Sequence, residues 1–263
     1  MVSKYERIAA DLRQRVRKEE FAAGERLPAE TVLMDRYKVS LVTMRRALDL
    51  VEAEGLVERR HGIGNFVRAP RQRVRRTTDR HQWEKDRVHL SESERSKTGS
   101  TEQDTGLDKE QLVFHAEYSD CEADDDLAEA LGVPVGTHLL ERTYRTRAAE
   151  DAPFNLARSY LVHEMIEANP KLLNATNEPW AGGTQHQLFT VGIEVDHVTE
   201  AISGRPPSPD EAEALEIGPG VSVLVLRKTL YDTGGRAVEV ADIVMPGDRT
   251  ELLYTTQLKR WPI

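Results

Sequence analysis

Arg45 and Arg46 stand side by side in the stretch VSLVTMRRALDLVEAEGL, and Arg145 and Arg147 stand one residue apart in ERTYRTRA. A guanidinium is a planar fork of N–H donors that fits a carboxylate, a phosphate or the edge of a guanine. The two pairs therefore offer anion or base-edge recognition. Little else in the chain suggests reactivity. No P-loop, no GxGxxG behind a strand, no GxSxG and no HExxH occurs. The histidines show no ligand spacing with carboxylates, and the lone Cys121 excludes an internal disulfide and a cysteine-based zinc cluster. No catalytic residue, metal site or cofactor is expected.

The first pair lies in a stretch whose local elements can be read directly. Ser40 is a good N-cap, since its hydroxyl can accept from an orphan helix N–H. Met44, Ala47, Leu48 and Val51 then fall on one helical face, leaving Thr43, Arg45, Arg46 and Asp49 off it. Gly55 supplies the left-handed stop. Residues 56–60 alternate as a strand, His61-Gly62-Ile63-Gly64 turns, and 65–68 returns. With a preceding short helix holding Leu33, Met34 and Tyr37, this is the layout of a winged helix-turn-helix. A helix with core on one side and Thr and Arg on the other suits the major groove, and a small wing tip suits the minor groove. The expected DNA contacts are Ser40, Leu41, Val42, Thr43, Arg45 and Arg46 on the helix, with Arg60, His61, Gly62 and Gly64 on the wing. The plainer alternative is a small α/β unit with a solvated basic face.

Charge supports the first reading once the chain is divided. The net charge is -9, yet the first 76 residues hold 18 Lys+Arg against 11 Asp+Glu, and the rest holds 18 against 34. A basic head on an acidic body marks a protein that meets nucleic acid with one end. At 263 residues the chain has room for two domains. No apolar run approaches the 18 or so residues of a membrane span, and no signal-peptide core is visible, so a cytoplasmic location is expected.

Beyond the head, residues 68–76 form a basic run, and 77–106 is polar and charged except for Trp83. Its composition predicts a long, partly mobile linker, counted as 70–109. The remainder contains an internal repeat. DDLAEALGVPVGTHLLERTYRT recurs loosely as PDEAEALEIGPGVSVLVLRKTL, with Asp126/Asp210, Ala128/Ala212, Leu131/Leu215 and Gly136/Gly220 identical at an offset of 84. Each copy reads as a short acidic helix, a Gly/Pro turn and a hairpin. Two hairpins can join into one antiparallel sheet with helices against it. Period 2 places Arg145 and Arg147 on one face of the first hairpin and Arg142 and Tyr144 on the other. The Arg145/Arg147 pair could clamp an anion, or could pair with the acidic surface of its own domain.

The elements LP-x-E, VS-x-x-T-x-RRAL, E-x-EGL-x-x-R and G-x-G-x-FV, in that order, resemble the DNA-binding domain of the GntR family of bacterial transcription regulators. Two positions depart from the usual pattern. Leu41 stands where Arg commonly follows the VS turn, and Thr31 stands where Arg or Lys commonly follows LP-x-E. Leu41 and Val42 could touch thymine methyl groups instead of guanine. The second half resembles the UTRA domain of the HutC subfamily, through EAEALEIGPG, Y-D-x-G-G-R-x-V-E and PGDRTEL. That resemblance implies a chorismate-lyase-like fold that binds a small effector without catalysis. The expected fold is α+β, with a winged helix-turn-helix over 1–69, a linker over 70–109 and the effector and dimerisation domain over 110–263.

Relatives that bind sugar phosphates use an R-x-R pair before the first hairpin turn, which Arg145 and Arg147 match. A carboxylate common near the end of the last hairpin is matched by Glu239. The carboxylate expected ten residues after the second Arg is here Ala157, and a frequent aromatic is here Met245. This implies an effector less polar than a sugar phosphate, which the Arg145/Arg147 clamp could hold if it is anionic. Arg145, Arg147, Tyr160, Glu239 and Met245 are the expected effector contacts, with Arg158, Glu200 and Tyr231 behind them. The implied protein is a homodimeric repressor on an inverted-repeat operator in double-stranded DNA, released by a small molecule. A DNA-tethered enzyme and a ligand-independent DNA-binding protein are the alternatives.

Overall fold

The computed structural model describes residues 2–68, 73–149, 151–218 and 220–259. The chain separates into two units, 1–72 with 206–222, and 73–205 with 223–263.

The first unit begins with α1 (Lys4–Arg17), capped by Ser3, whose hydroxyl accepts from the Glu6 N–H while the Glu6 carboxylate accepts from the Ser3 N–H. Helices α2 (Glu30–Tyr37) and α3 (Leu41–Ala53) follow, then β1 (Val57–Arg60) and β2 (Gly64–Val67) as an antiparallel wing. Ile8, Leu12, Leu33, Met44, Leu48, Val51 and Val57 form one buried cluster. The expected apolar face of α3 is thus its core face, and Gly55 takes φ +72° at the helix end. Arg13 and Arg15 on α1 are engaged within the unit. Arg13 pairs with Glu54, and Arg15 bonds Glu20 at 2.8 Å and lies 4.4 Å over the Phe21 ring.

The second unit opens with β3 (Val74–Thr77) and then α4 (Asp79–Asp86), α5 (Glu92–Arg95) and α6 (Ser100–Thr105). The stretch expected to be a partly mobile linker is therefore structured over its described length, while 69–72 lies outside the described residues. Its polarity reflects capping rather than disorder. Glu94 accepts from the Ser91 N–H at 3.0 Å, and Glu102 accepts from the Gly99 N–H at 3.0 Å. Arg87 donates to the carbonyls of Glu94, Arg95 and Thr98 at 2.8–3.2 Å and stacks 4.1 Å over Trp83.

The sheet follows, from β4 (Leu112–Glu122), α7 (Asp125–Leu131), β5 (His138–Ala148) and β6 (Asn155–Val162). After α8 (His163–Ile166) and α9 (Gly183–Phe189) come β7 (Val195–Arg205), then α10 (Pro209–Ala214), which belongs to the first unit, and then β8 (Val223–Asp232), β9 (Ala237–Pro246) and β10 (Thr250–Leu253) of the second. The six long strands run in the order β4-β5-β6-β9-β8-β7, all antiparallel, while β3 and β10 form a separate parallel pair. The two expected hairpins do join, through β6 and β9.

The internal repeat extends to the register. Tyr118↔Arg142↔Ser159 in the first copy becomes Ile202↔Leu226↔Ile243 in the second, each residue moved by 84. At the seam the pair that differs by 84 is Arg158↔Asp242, so a pseudo-twofold axis passes there, normal to the sheet. On one face α7 packs with Leu139, Val162 and Val240. On the other, Leu140, Leu161, Leu230 and Val238 pack with Ile166, Leu172 and Leu188.

Candidate functional site

In the first unit, Ser40 caps α3 and accepts from the Thr43 N–H at 3.4 Å. The first turn then presents Leu41 and Val42, the latter 64% exposed, beside Arg45 and Arg46. The Glu30 carboxylate accepts from Arg45 Nε at 3.0 Å, which gives the last residue of LP-x-E a role in aiming that arginine. Arg46 is exposed and has no ion-pair partner among the described residues. On the wing, Arg60 lies 4.3 Å over the Phe66 ring and bonds Glu58 at 2.6 Å, and His61 is exposed. Gly62 and Gly64 take φ +71° and +145°. The positive φ at Gly64 is one that a side chain would strain, which favours glycine there. The structure thus brings the expected DNA-contact residues onto one capped helix turn and one wing.

In the second unit, a cavity of about 520 Å³ lies between the sheet and the helices α4–α6. Leu112, Phe114, Tyr144, Thr146, Asn155, Ala157, Lys228 and Ile243 supply the sheet side. Arg76, Arg80, Trp83, Arg87 and Arg95 supply the facing side, and the loop 178–184 closes one end.

Two carboxylates are tied down at this face. Glu178 Oε1 accepts from the hydroxyls of Tyr118 (2.5 Å) and Tyr144 (3.1 Å) and from Gln187 Nε2 (2.9 Å), and its Oε2 accepts from the Trp180 N–H at 2.6 Å. Burial pushes the Tyr118 hydroxyl up to about 12, which keeps it a donor. Glu239, 1% exposed, accepts from Arg142 Nη2 at 2.7 Å and from the Ser159 hydroxyl at 2.6 Å, with Lys228 Nζ at 2.9 Å from its other oxygen. Burial opposes the Glu239 charge, but Lys228, Arg142 and the Ser159 hydroxyl outweigh it and hold the carboxyl at about 2. Arg142 also donates to Gln187 Oε1 at 2.6 Å, so the network joins the sheet to α9.

The facing helices are pinned in the same way. Arg80 bonds Asp104 at 2.7 Å, Arg95 Nε donates to the Ala181 carbonyl at 3.0 Å, and Gln185 Nε2 donates to the His81 carbonyl at 2.8 Å. His186 accepts from Trp180 Nε1 at Nδ1, 2.8 Å away, and burial together with nearby Arg95 lowers its pKa, favouring the neutral ring that this bond requires.

The expected effector contacts divide between the two faces. Arg145 and Arg147 are exposed on the face opposite the cavity, where their cross-strand partners on β4 are His115 and Val113. Tyr160 shares that face and donates to Glu141 at 3.1 Å, and Arg158 and Tyr231 are there too. Met245 is on the cavity face but sits in core with Leu226 and Ile243. Glu239 lies under the cavity floor, reaching it through Lys228. Glu200 stands next to the cavity wall, bonded to His81 at 3.0 Å. The alternation assigned both faces of β5 properly, but the covered face is that of Arg142, Tyr144 and Thr146. Tyr144 and Thr146 share a face of β5 by period 2, whereas Phe114 joins them only through the pairing of β4 with β5. Arg76 and Arg80 were hidden in a stretch whose composition reads as linker.

Comparison with known proteins agrees with both halves. The model for bacterial regulatory proteins of the gntR family matches residues 4–67, and that for the UTRA domain matches 115–251. An HTH-type transcriptional regulator of Streptomyces coelicolor is 30% identical, over 95% of this chain and 91% of its own length. The HTH-type transcriptional repressor NagR of Bacillus subtilis is 25% identical, over 95% and 93%. A crystal structure of a GntR-family transcriptional regulator superposes with a TM-score of 0.63 at 25% identity, covering 98% of both chains. With a capped recognition helix and wing in one unit and a ligand-sized cavity in the other, the chain belongs to the GntR family of DNA-binding transcription regulators, in its HutC-like architecture of a winged helix-turn-helix and a UTRA effector-binding domain.

Proposed function

We propose that the protein is a repressor that binds an inverted-repeat operator as a homodimer and leaves it when a small molecule fills the cavity of the second unit. The observation that carries this reading is the cavity itself. It is ligand-sized and mixed in polarity, and it lies in a unit that holds none of the expected DNA contacts. Arg76, Arg80, Phe114, Tyr144, Asn155 and Lys228 take the place of Arg145, Arg147, Tyr160 and Met245 as proposed effector contacts. A regulatory role, not catalysis, fits the cavity. Glu178, Asp104 and Glu102 of its wall are held in hydrogen bonds within the protein, and its relatives bear the names of transcription regulators. The repressor sign has the support of the relative named as one.

A ligand displaces DNA only through its unequal affinity for the bound and free forms, typically about 1–3 kcal/mol of coupling. The test is fluorescence anisotropy of the full chain on a duplex selected from a random pool, titrated with a library of small metabolites. A compound that lowers DNA affinity about 5–150-fold supports the reading. Compounds that bind the protein and never change its DNA affinity would overturn it.

A further inference from the structure

The donors and acceptors of the cavity wall are unequally used. Glu178 takes four hydrogen bonds, Asp104 is bonded by Arg80, and Glu102 accepts from the Gly99 N–H. Three of the four carboxylates on the wall are thus hydrogen-bonded by the protein, and the fourth, Glu84, lies 3.7 Å from Arg80. Arg76 is the contrasting case. It is 9% exposed, lines the cavity, and has one ionic neighbour, Glu200, at 3.7 Å, beyond hydrogen-bond reach. Glu200 is itself held by His81 at 3.0 Å. Burial, with the Arg80 charge nearby, pushes the Arg76 guanidinium down to about 10. A buried guanidinium without a hydrogen-bonded partner is costly, and an arriving anion relieves that cost.

The rest of the wall narrows the class. Six cationic side chains line it against four carboxylates, a small positive surplus. Glu84 at 3.7 Å and Asp104 at 2.7 Å from Arg80 would repel a phosphate dianion more than a singly charged group. Leu112, Phe114, Tyr144 and Ile243 give the sheet side an apolar and aromatic surface. A volume near 520 Å³ suits a molecule of metabolite size.

We propose that the cavity takes a small organic carboxylate, its acid group received by Arg76 and its less polar body laid on Phe114, Tyr144 and Ile243. This assignment rests on the effector reading above. It places the acid receptor on β3, outside the residues matched by the UTRA model.

The test uses the full chain and a matched library of small aryl and alkyl monocarboxylates, their primary amides, sugar phosphates and inorganic phosphate. Binding is read by calorimetry and by the fluorescence of Trp83 and Trp180, which both line the cavity. Expected are acids that bind at least 10-fold more tightly than their amides, a loss of at least 10-fold in Arg76→Gln, and partial recovery in Arg76→Lys. Arg145→Gln, on the opposite face, should bind as the parent does. Hits confined to amides or phosphates, no acid binding below millimolar, or parental affinity in Arg76→Gln would each overturn the assignment. Should Arg76→Gln misfold, the acid-to-amide ratio on the parent decides alone. Parallel titration on the operator duplex separates the two readings. A non-acid that releases DNA overturns the ligand class and leaves the effector reading standing. An acid that binds through Arg76 without affecting DNA does the reverse.

Discussion

At Arg45, the free protein already holds the guanidinium in a hydrogen bond that DNA must keep or replace. The Glu30 pair is 58% exposed on the arginine side, so it orients more than it stabilises. Arg45→Ala should lower operator affinity by about 1–3 kcal/mol and relax the preference at one base pair of each half-site, as read by anisotropy over operator variants. Arg142 and Glu239 behave differently, because both are out of water. Removing one partner of a buried pair strands the other, so Glu239→Gln should cost about 3–5 kcal/mol in denaturant unfolding. The Arg142→Met, Glu239→Leu double variant should cost less than the single one. The native carboxyl sits at about 2 against an ordinary value of 4.5. Its contribution is therefore fully present above pH 4.5 and is lost as the pH falls towards 2, and unfolding of Glu239→Gln should lack that part of the acid slope. The two arginines singled out from sequence, Arg145 and Arg147, show the limit of reading one strand. Alternation separates its faces, but what covers a face is contributed by distant chain.

Among elements, those built on local signals were legible and those built on tertiary contacts were not. The Ser40 cap, the α3 core face, Gly55 and the wing all follow from neighbours within a few residues. So do the two hairpins. The helices α4–α6 are short, and none has an apolar face of its own, so periodicity could not show them. Their order comes from Arg87, whose guanidinium gathers three carbonyls and covers Trp83. Arg87→Ala should raise hydrogen exchange across residues 92–105 and weaken ligand binding, while the wing keeps its protection. Exchange mass spectrometry of the full chain reads both. Parental exchange in 92–105 would mean that other contacts order this segment.

For the molecule as a whole, a basic N-terminal stretch and an acidic remainder predict DNA binding that weakens steeply with salt. A homodimer on an inverted repeat adds that binding should be second order in protein below the dimer dissociation constant. Sedimentation of the full chain at micromolar concentration should give a mass near twice 29.7 kDa, and a monomer that still binds a two-half-site duplex tightly would contradict the assembly. The axis through Arg158 and Asp242 carries a consequence of its own. Under the 84-residue shift, Arg142 maps to Leu226 and Glu239 is the image of Asn155. Were the two halves separate identical chains related by that axis, every substitution would be made twice. They would bury two Arg–Glu pairs or none. A single chain escapes this restriction, so one half can hold an arginine where the other holds a leucine. The floor beneath the cavity is lopsided because covalent linkage frees the two halves from symmetry.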